Sequence, residues 1–399
     1  HLQYMKKFYF SLVTFLFLAV ANAQIVNIPD ANFKAKLLAA SPSNNIASSE
    51  TPSSNGYVSS YNVIDTNGDG EIQVSEATLI KYLDVSSSNI ANFEGINNFN
   101  FLESLFCSDN HISNVNVTAL ANLRVFYCLF SQISSLNVEG LNNLRFLYCE
   151  HNQLTTLNVN NLTNLFQLNC DYNQLTTIDL DGLINLYSFN CGYNQLTNID
   201  FGDLISLRFL YCGNNLLSDL ELTGLTDLFF LSCYNNQITS LNLSMFAGLS
   251  GLSCQINQLT TLLIKNNNAS WSLLNFQNNP NLTYICADEE DVSLVQTKIT
   301  EYGYTNCTVD SNCNLSVETN LFDDNFFTIY PNPVDEILNL TAKQATEIYS
   351  LTIYNLLGQQ VQTTTNPTNT IDVSSLKTGN YIIKVVTDKG VSSSKFVKE

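Results

Sequence analysis

Apolar residues recur through the middle of the chain at a fixed interval of 21 residues. The repeats at 144–164, LRFLYCEHNQLTTLNVNNLTN, and at 165–185, LFQLNCDYNQLTTIDLDGLIN, both fit the pattern L-x-x-L-x-C-x-x-N-x-L. Leu147 and Cys149 alternate, so they point to one side of a short strand. A single coil of this size cannot bury its apolar side alone, whereas a stack can. The pattern predicts a solenoid of 21-residue coils. Its cysteines are Cys107, Cys128, Cys149, Cys170, Cys191, Cys212, Cys233 and Cys254.

The column of cysteines and the column of asparagines that follows it have different predicted roles. The repeats lack the C-x-x-C spacing of zinc sites. Parallel side chains on strands about 4.8 Å apart are poorly placed for disulfides. We therefore expect buried apolar thiols. Asn152 stands where the chain turns, so we expect stacked asparagines to bond free backbone groups.

The repeat resembles the leucine-rich repeat, and its length and L-T-x-L-x-V-x-x-L-x-N tail are most similar to internalin-type repeats. The resemblance implies a mainly β protein whose solenoid spans 83–285. A diverged first coil starts at Leu83, and a last coil from Leu274 to Ile285 has Asn275 at the cysteine position.

The first 23 residues have the pattern of a secretory signal peptide. Lys6 and Lys7 form a basic start, Phe8–Val20 is a short apolar run, and Ala21-Asn22-Ala23 fits a cleavage site. We interpret Met5 as the start and residues 1–4 as upstream sequence. The expected route is export to the periplasm, where disulfides are permitted.

Residues 24–82 are predicted to cap the start of the solenoid. A helix is expected at 28–38 with Asp30 near its beginning, followed by a loose Ser/Asn/Pro-rich loop at 41–60. The segment at 65–76, DTNGDGEIQVSE, then matches D-x-[DN]-x-[DN]-G-x5-E at every position.

That segment resembles an EF-hand-type calcium loop. The resemblance implies one structural Ca²⁺ rather than a sensor, because only one loop is present. Side-chain oxygens would come from Asp65, Asn67 and Asp69, the carbonyl from Glu71, a water-mediated contact from Gln73 and a bidentate carboxylate from Glu76.

Three cysteines lie beyond the repeats, in a predicted cap and linker at 286–326. A Cys286–Cys307 bridge would staple the end of the solenoid. Cys313 could replace either partner, so the pairing stays open.

Residues 327–399 carry short alternating runs separated by turns, which predicts a small immunoglobulin-like β-sandwich. They resemble the type A sorting domain of the type IX secretion system. The resemblance implies transport across the outer membrane by that machinery, then removal by a sortase-like peptidase, with the cargo released or attached to surface lipopolysaccharide. The protein is therefore expected to be extracellular or on the outer cell surface. The matching positions include Pro331, Asn332, Pro333, Gly358, Gly379, Tyr381 and Lys395.

Charge narrows the possible partners. The chain has 16 basic and 35 acidic residues, a net charge of −19. This balance disfavours nucleic-acid binding and docking on anionic lipid.

The concave face of the predicted solenoid is unusually aromatic, which is typical of binding surfaces. We therefore expect non-catalytic recognition of a protein or glycan. The alternative is that the rings only pack on one another in a structural surface protein. A remote alternative is a glycan hydrolase using Glu150 and Asp171, which lie in one column on adjacent coils. The candidate ligand-binding residues are Tyr127, Phe130, Tyr148, His151, Tyr172, Tyr193, Tyr211 and Tyr234.

Overall fold

The computed structural model describes residues 24–202, 204–268, 271–313, 327–342, 348–355, 360–365, 370–387 and 390–399. The predicted signal peptide lies outside these residues. The chain divides into two compact units between Cys313 and Asn314. Within the described ranges, every helix is too short or too polar to span a bilayer.

The N-terminal cap contains two short helices and one strand. Helix α1 (Ala31–Leu38) confirms the predicted helix, and its N-cap Asp30 accepts hydrogen bonds from the amides of Asn32 and Phe33. Its apolar side buries Phe33 and Leu37. Strand β1 (Ala47–Ser48) and helix α2 (Val74–Ala77) follow.

Ten parallel strands, one per coil, form the main sheet, and β1 adds an antiparallel edge to it. Their central residues pair in register with a step of 21, as in Leu210 with Leu231. In two strand pairs the paired residues are 22 positions apart, namely Leu83 with Leu105 and Leu252 with Leu274. The ten strands are β2 (Tyr82–Asp84), β3 (Ser104–Phe106), β5 (Val125–Tyr127), β7 (Phe146–Tyr148), β8 (Gln167–Asn169), β9 (Ser188–Asn190), β10 (Phe209–Tyr211), β11 (Phe230–Ser232), β13 (Gly251–Ser253) and β15 (Leu273–Asn275).

Shorter parallel sheets form where other parts of the coils meet. They are β4 (Asn114–Asn116) with β6 (Ser135–Asn137), and β12 (Ser240–Asn242), β14 (Thr261–Leu263), β16 (Tyr284–Cys286) and β17 (Thr308–Asp310). Between β16 and β17, helix α3 (Val292–Tyr302) buries Val295 and Ile299 against the last coil. One-turn 3₁₀ helices lie at Ile96–Asn98 and Glu289–Asp291. Residues 286–313 therefore continue and close the solenoid.

The interior of the solenoid consists of columns in which one residue type predominates, with Phe126 and Phe189 in the leucine column and Ser131 in the asparagine column. The eight repeat cysteines are free and buried, as predicted, and the leucines beside them are fully buried. Asn194 shows the role of the asparagine column: its Nδ2 donates to the carbonyls of Cys170 and Cys191 at 3.0 and 3.1 Å. Its Oδ1 accepts from the Leu175 amide at 2.9 Å. The predicted asparagine ladder is thus confirmed.

The second unit consists of two antiparallel sheets around a core that includes Leu338, Ile353, Ile383 and Phe396. This matches the predicted β-sandwich. One sheet contains β18 (Phe327–Tyr330), β19 (Ile337–Ala342) and β22 (Thr370–Asp372). The other contains β21 (Gln360–Thr365), β20 (Ile348–Asn355), β23 (Gly379–Thr387) and β24 (Gly390–Lys398), in that order across the sheet.

Candidate binding face and accessory sites

The main sheet presents two outward columns, because each three-residue strand turns its central side chain inward. The register places the Tyr127 and Tyr148 rings side by side, with centroids 4.4 Å apart. Burial raises the pKa of both phenols. The Tyr148 hydroxyl donates to the Gln167 side chain. Tyr211 lies three coils further along and contacts Phe230 instead, with ring centroids 5.3 Å apart.

The N-terminal end of this face is covered by the cap. The expectation of a loose loop at 41–60 is wrong, because Tyr57 stacks on Phe106 with centroids 5.7 Å apart. Gly56 comes so close to the sheet that a Cβ there would lie 2.8 Å from Val125 Cγ2, and its φ is +86°. The Glu50 carboxylate ties the loop by accepting hydrogen bonds from Ser59 and Ser60. The exposed part of the face therefore begins near Tyr148.

Four predicted ligand-binding rings form one continuous stack at the end of the strands, which we call the rim ladder. It consists of Phe130, His151, Tyr172 and Tyr193. Successive centroids are 4.3, 4.1 and 3.9 Å apart, with ring planes within 17°. The rings thus cover one another's faces and present their edges to solvent. The rings of this column therefore pack on one another, and ligand binding by them stays a prediction.

Every residue of the rim ladder has a left-handed backbone, with φ between +49° and +55°. Side chains with a Cβ rarely adopt this conformation. It places the residue at the turn between the cysteine and the asparagine ladder. The same conformation continues along the column to Ile256, with φ +57°.

Tyr234 extends the rim ladder from a neighbouring column. Its hydroxyl donates to the Tyr193 hydroxyl at 3.2 Å. Its ring lies over Gly213, where a Cβ would be 2.4 Å from Tyr234 Cε1. Burial raises the pKa of Tyr234 to about 12. The glycine therefore makes room for this contact.

Glu150 and Asp171 occupy the column between the strands and the rim ladder. Glu150 Oε2 and Asp171 Oδ1 are buried and have no hydrogen-bond partner within the described residues. Burial, with a contribution from the Asp171 charge, raises the pKa of Glu150 to about 7. Burial also raises the pKa of Asp171.

At the opposite edge, immediately before the strands, lies a column that the sequence analysis did not identify. It runs from Arg124 and Arg145 through Phe166 and Tyr187 to Arg208, and then to Phe229. The signal was present in the sequence, since these three arginines are the only ones in the chain. Each stands directly after the leucine that opens a repeat. We call this set the arginine column.

The predicted calcium loop has an ordered, oxygen-rich geometry. Asp65 accepts hydrogen bonds from the amides of Gly68 and Gly70, at 2.8 and 3.0 Å. The side chains of Asn67 and Gln73 both donate to Asp69. Four of the six predicted ligands are thus held within one loop of hard oxygen donors, the chemistry that Ca²⁺ prefers.

Two acidic residues of that loop have other partners. The Glu71 side chain pairs with Lys34 at 2.6 Å, which leaves only its carbonyl for the predicted role. Glu76 Oε1 accepts from the Thr66 amide, and its Oε2 accepts from the Gln73 amide. No cluster of three His, Cys, Asp or Glu side chains suited to a metal occurs in the described parts of the chain. Calcium binding stays a prediction.

Of the cysteine pairings that the sequence leaves open, the structure contains Cys286–Cys313, and Cys307 is free. The register explains the choice. Cys286 lies opposite Asp310, so Cys307 is three residues away along β17. The chain beyond β17 brings Cys313 back to a Cα–Cα distance of 5.2 Å from Cys286.

Two of the predicted sorting residues, Asn332 and Tyr381, contact the last strand, β24. Asn332 bridges to the last strand, donating to the Lys395 carbonyl and accepting from the Val397 amide. Tyr381 stacks on Phe396, and its hydroxyl donates to the Lys377 carbonyl. Gly358 lies outside the described residues. Tyr330–Pro331 and Asn332–Pro333 are cis peptide bonds.

Comparison with known families identifies this second unit. Residues 328–399 match the model of the secretion system C-terminal sorting domain. The chain therefore carries such a domain, as predicted. No curated protein sequence matches the chain at a significant level.

Solved structures similar to the chain are leucine-rich-repeat proteins. An internalin of Listeria monocytogenes, InlF, is 20% identical, covers 73% of this chain and 91% of its own, and has a TM-score of 0.46. The functional domain of InlJ from the same organism, described as including a cysteine ladder, is 18% identical. It covers 94% of this chain and 98% of its own, with a TM-score of 0.35. The coils and register described above establish the solenoid independently.

Proposed function

We propose that this exported protein recognises a protein or glycan ligand, without catalysis, on the concave face of its solenoid. The sorting domain implies interaction with type IX secretion machinery and export to the cell surface or extracellular space. The export step through a signal peptide, removal by a sortase-like peptidase and attachment to surface lipopolysaccharide belong to the proposal.

The observation that carries the proposal is the run of partly exposed aromatic side chains on the concave face. Tyr148 and Tyr211 point outward from the strands, and Phe146, Phe209 and Phe230 accompany them in the adjacent column. Aromatic side chains give large contact area for little loss of side-chain entropy, so they dominate many interfaces. The rim ladder supports this face at one edge.

The test is binding of the full mature chain to glycan and surface-protein arrays. We expect saturable binding by the wild type and at least tenfold weaker binding by a Tyr148→Ala, Tyr211→Ala double variant. A matched control replaces Ile205 and Met245 with alanine, since these side chains are exposed and outside the concave face. Equal binding by both variants would contradict the proposal.

A structural surface protein without a specific ligand is the main alternative. It predicts no saturable binding by any folded variant. The glycan hydrolase requires turnover of labelled polysaccharide that Glu150→Gln abolishes, and the pKa of about 7 for Glu150 is the observation that favours it.

We further propose that the loop at 65–76 binds one structural Ca²⁺. Calcium in large excess over its dissociation constant would stabilise the folded cap, by about 2.7 kcal/mol at a hundredfold excess. The experiment is thermal unfolding with calcium or with a chelator. Asp65→Ala should remove the calcium-dependent shift, whereas Glu71→Gln should keep it, because only the Glu71 carbonyl is a predicted ligand. A wild type that melts identically in both conditions would contradict the site.

A further inference from the structure

The arginine column concentrates positive charge on one edge of a strongly acidic chain. All three arginines of the 399-residue sequence lie in it, although the net charge is −19. The register of the parallel sheet aligns them, because each precedes its strand by one residue.

The arginines differ in their neighbours. Arg124 Nη1 lies 3.3 Å from Glu103 Oε2, so its charge is already paired. Arg145 and Arg208 form no ion pair within the described residues. The Arg145 guanidinium lies 5.6 and 5.8 Å from the ring centroids of Phe146 and Phe166, and that of Arg208 lies 5.3 Å from Phe229. Aromatic contacts of this kind orient a guanidinium and leave its N–H groups free.

Two stacked rings separate the two unpaired arginines. Phe166 and Tyr187 have centroids 4.8 Å apart and ring planes within 10°. Adjacent strands are about 4.8 Å apart, so three steps place Arg145 and Arg208 roughly 14 Å from each other along the solenoid axis. The sequence along this edge is therefore cation, ring, ring, cation.

Apart from Glu103, which pairs with Arg124 at the start of this column, the acidic groups of the concave face lie elsewhere. Glu150 follows Arg145 by five residues, which is on the order of 15 Å along the strand direction. An anionic chain that lies along the arginine column therefore meets two unpaired guanidiniums and avoids the carboxylate pair.

We propose that the arginine column binds an acidic polysaccharide, with its carboxylate or sulfate groups on Arg145 and Arg208. This rests on the proposed function and names the ligand class of the same face. A guanidinium matches these anions with two parallel hydrogen bonds. The apolar rings between the arginines suit the sugar rings that separate the charges.

An acidic peptide fits this edge less well. Extended peptides gain affinity from the free backbone groups of an edge strand. The strands β7 to β10 are paired on both sides, so they offer none.

The experiment measures binding of the full mature chain to polygalacturonate and dextran sulfate at low salt. Neutral dextran, polyglutamate and oligothymidylate are the comparison probes. We expect binding to one or both acidic polysaccharides that weakens with added salt. Arg145→Gln and Arg208→Gln should each weaken it about tenfold. Arg124→Gln is the matched control and should change it less than twofold, because Glu103 already neutralises that charge.

Each result decides a separate point. Failure to bind either acidic polysaccharide, or equal loss in all three variants, overturns the inference. Equally tight, arginine-dependent binding of polyglutamate or oligothymidylate overturns the assignment to a glycan. If the arrays identify another ligand that depends on Tyr148 and Tyr211 but not on the arginines, the recognition function stands and this inference falls.

Discussion

The interior of the solenoid and its concave face contain the same number of coils but follow opposite rules. Inside, cysteine and asparagine recur with little change, since each coil satisfies backbone groups of the previous one. On the concave face, tyrosine, asparagine and serine alternate at equivalent positions, as at Tyr148, Asn190 and Ser232. The difference distinguishes the columns that stabilise the fold from the columns whose residues are free to vary.

The largest expected effect is in the interior. Asn194→Ala removes the donor to two buried carbonyls and the acceptor for the Leu175 amide, so unfolding free energy should fall by about 3–5 kcal/mol. Urea denaturation provides the measurement. Asn185→Ala is the control: Asn185 is exposed and donates one bond, to Thr163, so the loss should be below about 1 kcal/mol. Equal losses would remove the distinction between interior and surface.

The second-largest effect is expected at the C-terminal end of the solenoid, which the Cys286–Cys313 disulfide closes. Replacing Cys286 and Cys313 by serine opens a loop of 27 residues and should cost about 3 kcal/mol. Cys307→Ser should be nearly neutral, because that thiol is free. Thermal unfolding with and without a reductant checks both. A reductant effect that persists in the double variant would contradict the assigned bridge.

A smaller effect is expected on the concave face. The pKa of Glu150 is raised to about 7, so the folded state holds this proton more tightly than the unfolded chain. This contribution is full below pH 4.5 and is lost as the pH rises through about 7. Because Glu150 is partly exposed, we expect a loss of about 1 kcal/mol after screening.

Glu150→Gln should remove that pH dependence and stabilise the protein at pH 7.5. Glu139→Gln, on an exposed turn, should leave the dependence unchanged. Chemical denaturation between pH 5 and 8 measures both. Stability that rises with pH in the wild type and is unaltered by Glu150→Gln would refute the assignment.

The smallest effect has the opposite sign and concerns the left-handed column. Ile256→Asn should stabilise the protein by about 1 kcal/mol, because a branched side chain at φ +57° is strained and asparagine tolerates this conformation. Ile184→Asn is the matched control: its side chain is also 46% exposed, and its φ is not positive. A gain in both variants would indicate a solubility effect rather than relief of backbone strain.

The solenoid was predictable from sequence because its determinants are local and repeated. Cys191 and Asn194 each have the same neighbours in nearly every coil, so one coil specifies the next. The helix that Asp30 caps was equally predictable from sequence, since its N-cap needs only residues of the first turn.

The missed features depend on contacts between distant segments. Nothing near Gly56 indicates that it meets Val125, so the sequence alone does not predict the ordered cap loop. The disulfide partner of Cys286 depends on the register of β17. Helix α3 lies between Cys286 and β17 in the chain, so this register is not set by local sequence. The three arginines can be found in the sequence. Only the strand register shows that Arg145 and Arg208 lie in one column.

Because the central coils are equal in length, whole coils can be inserted into or deleted from the solenoid without disturbing its register. Removing residues 165–185 would join Asn164 to Leu186 and leave β7 beside β9 with their paired residues still aligned. His151 would then face Tyr193, and the ring stack would close over the gap. Insertion or deletion of whole coils thus alters the reach of the face in steps of about 4.8 Å. The number of coils can therefore change while every remaining coil keeps its own hydrogen bonds.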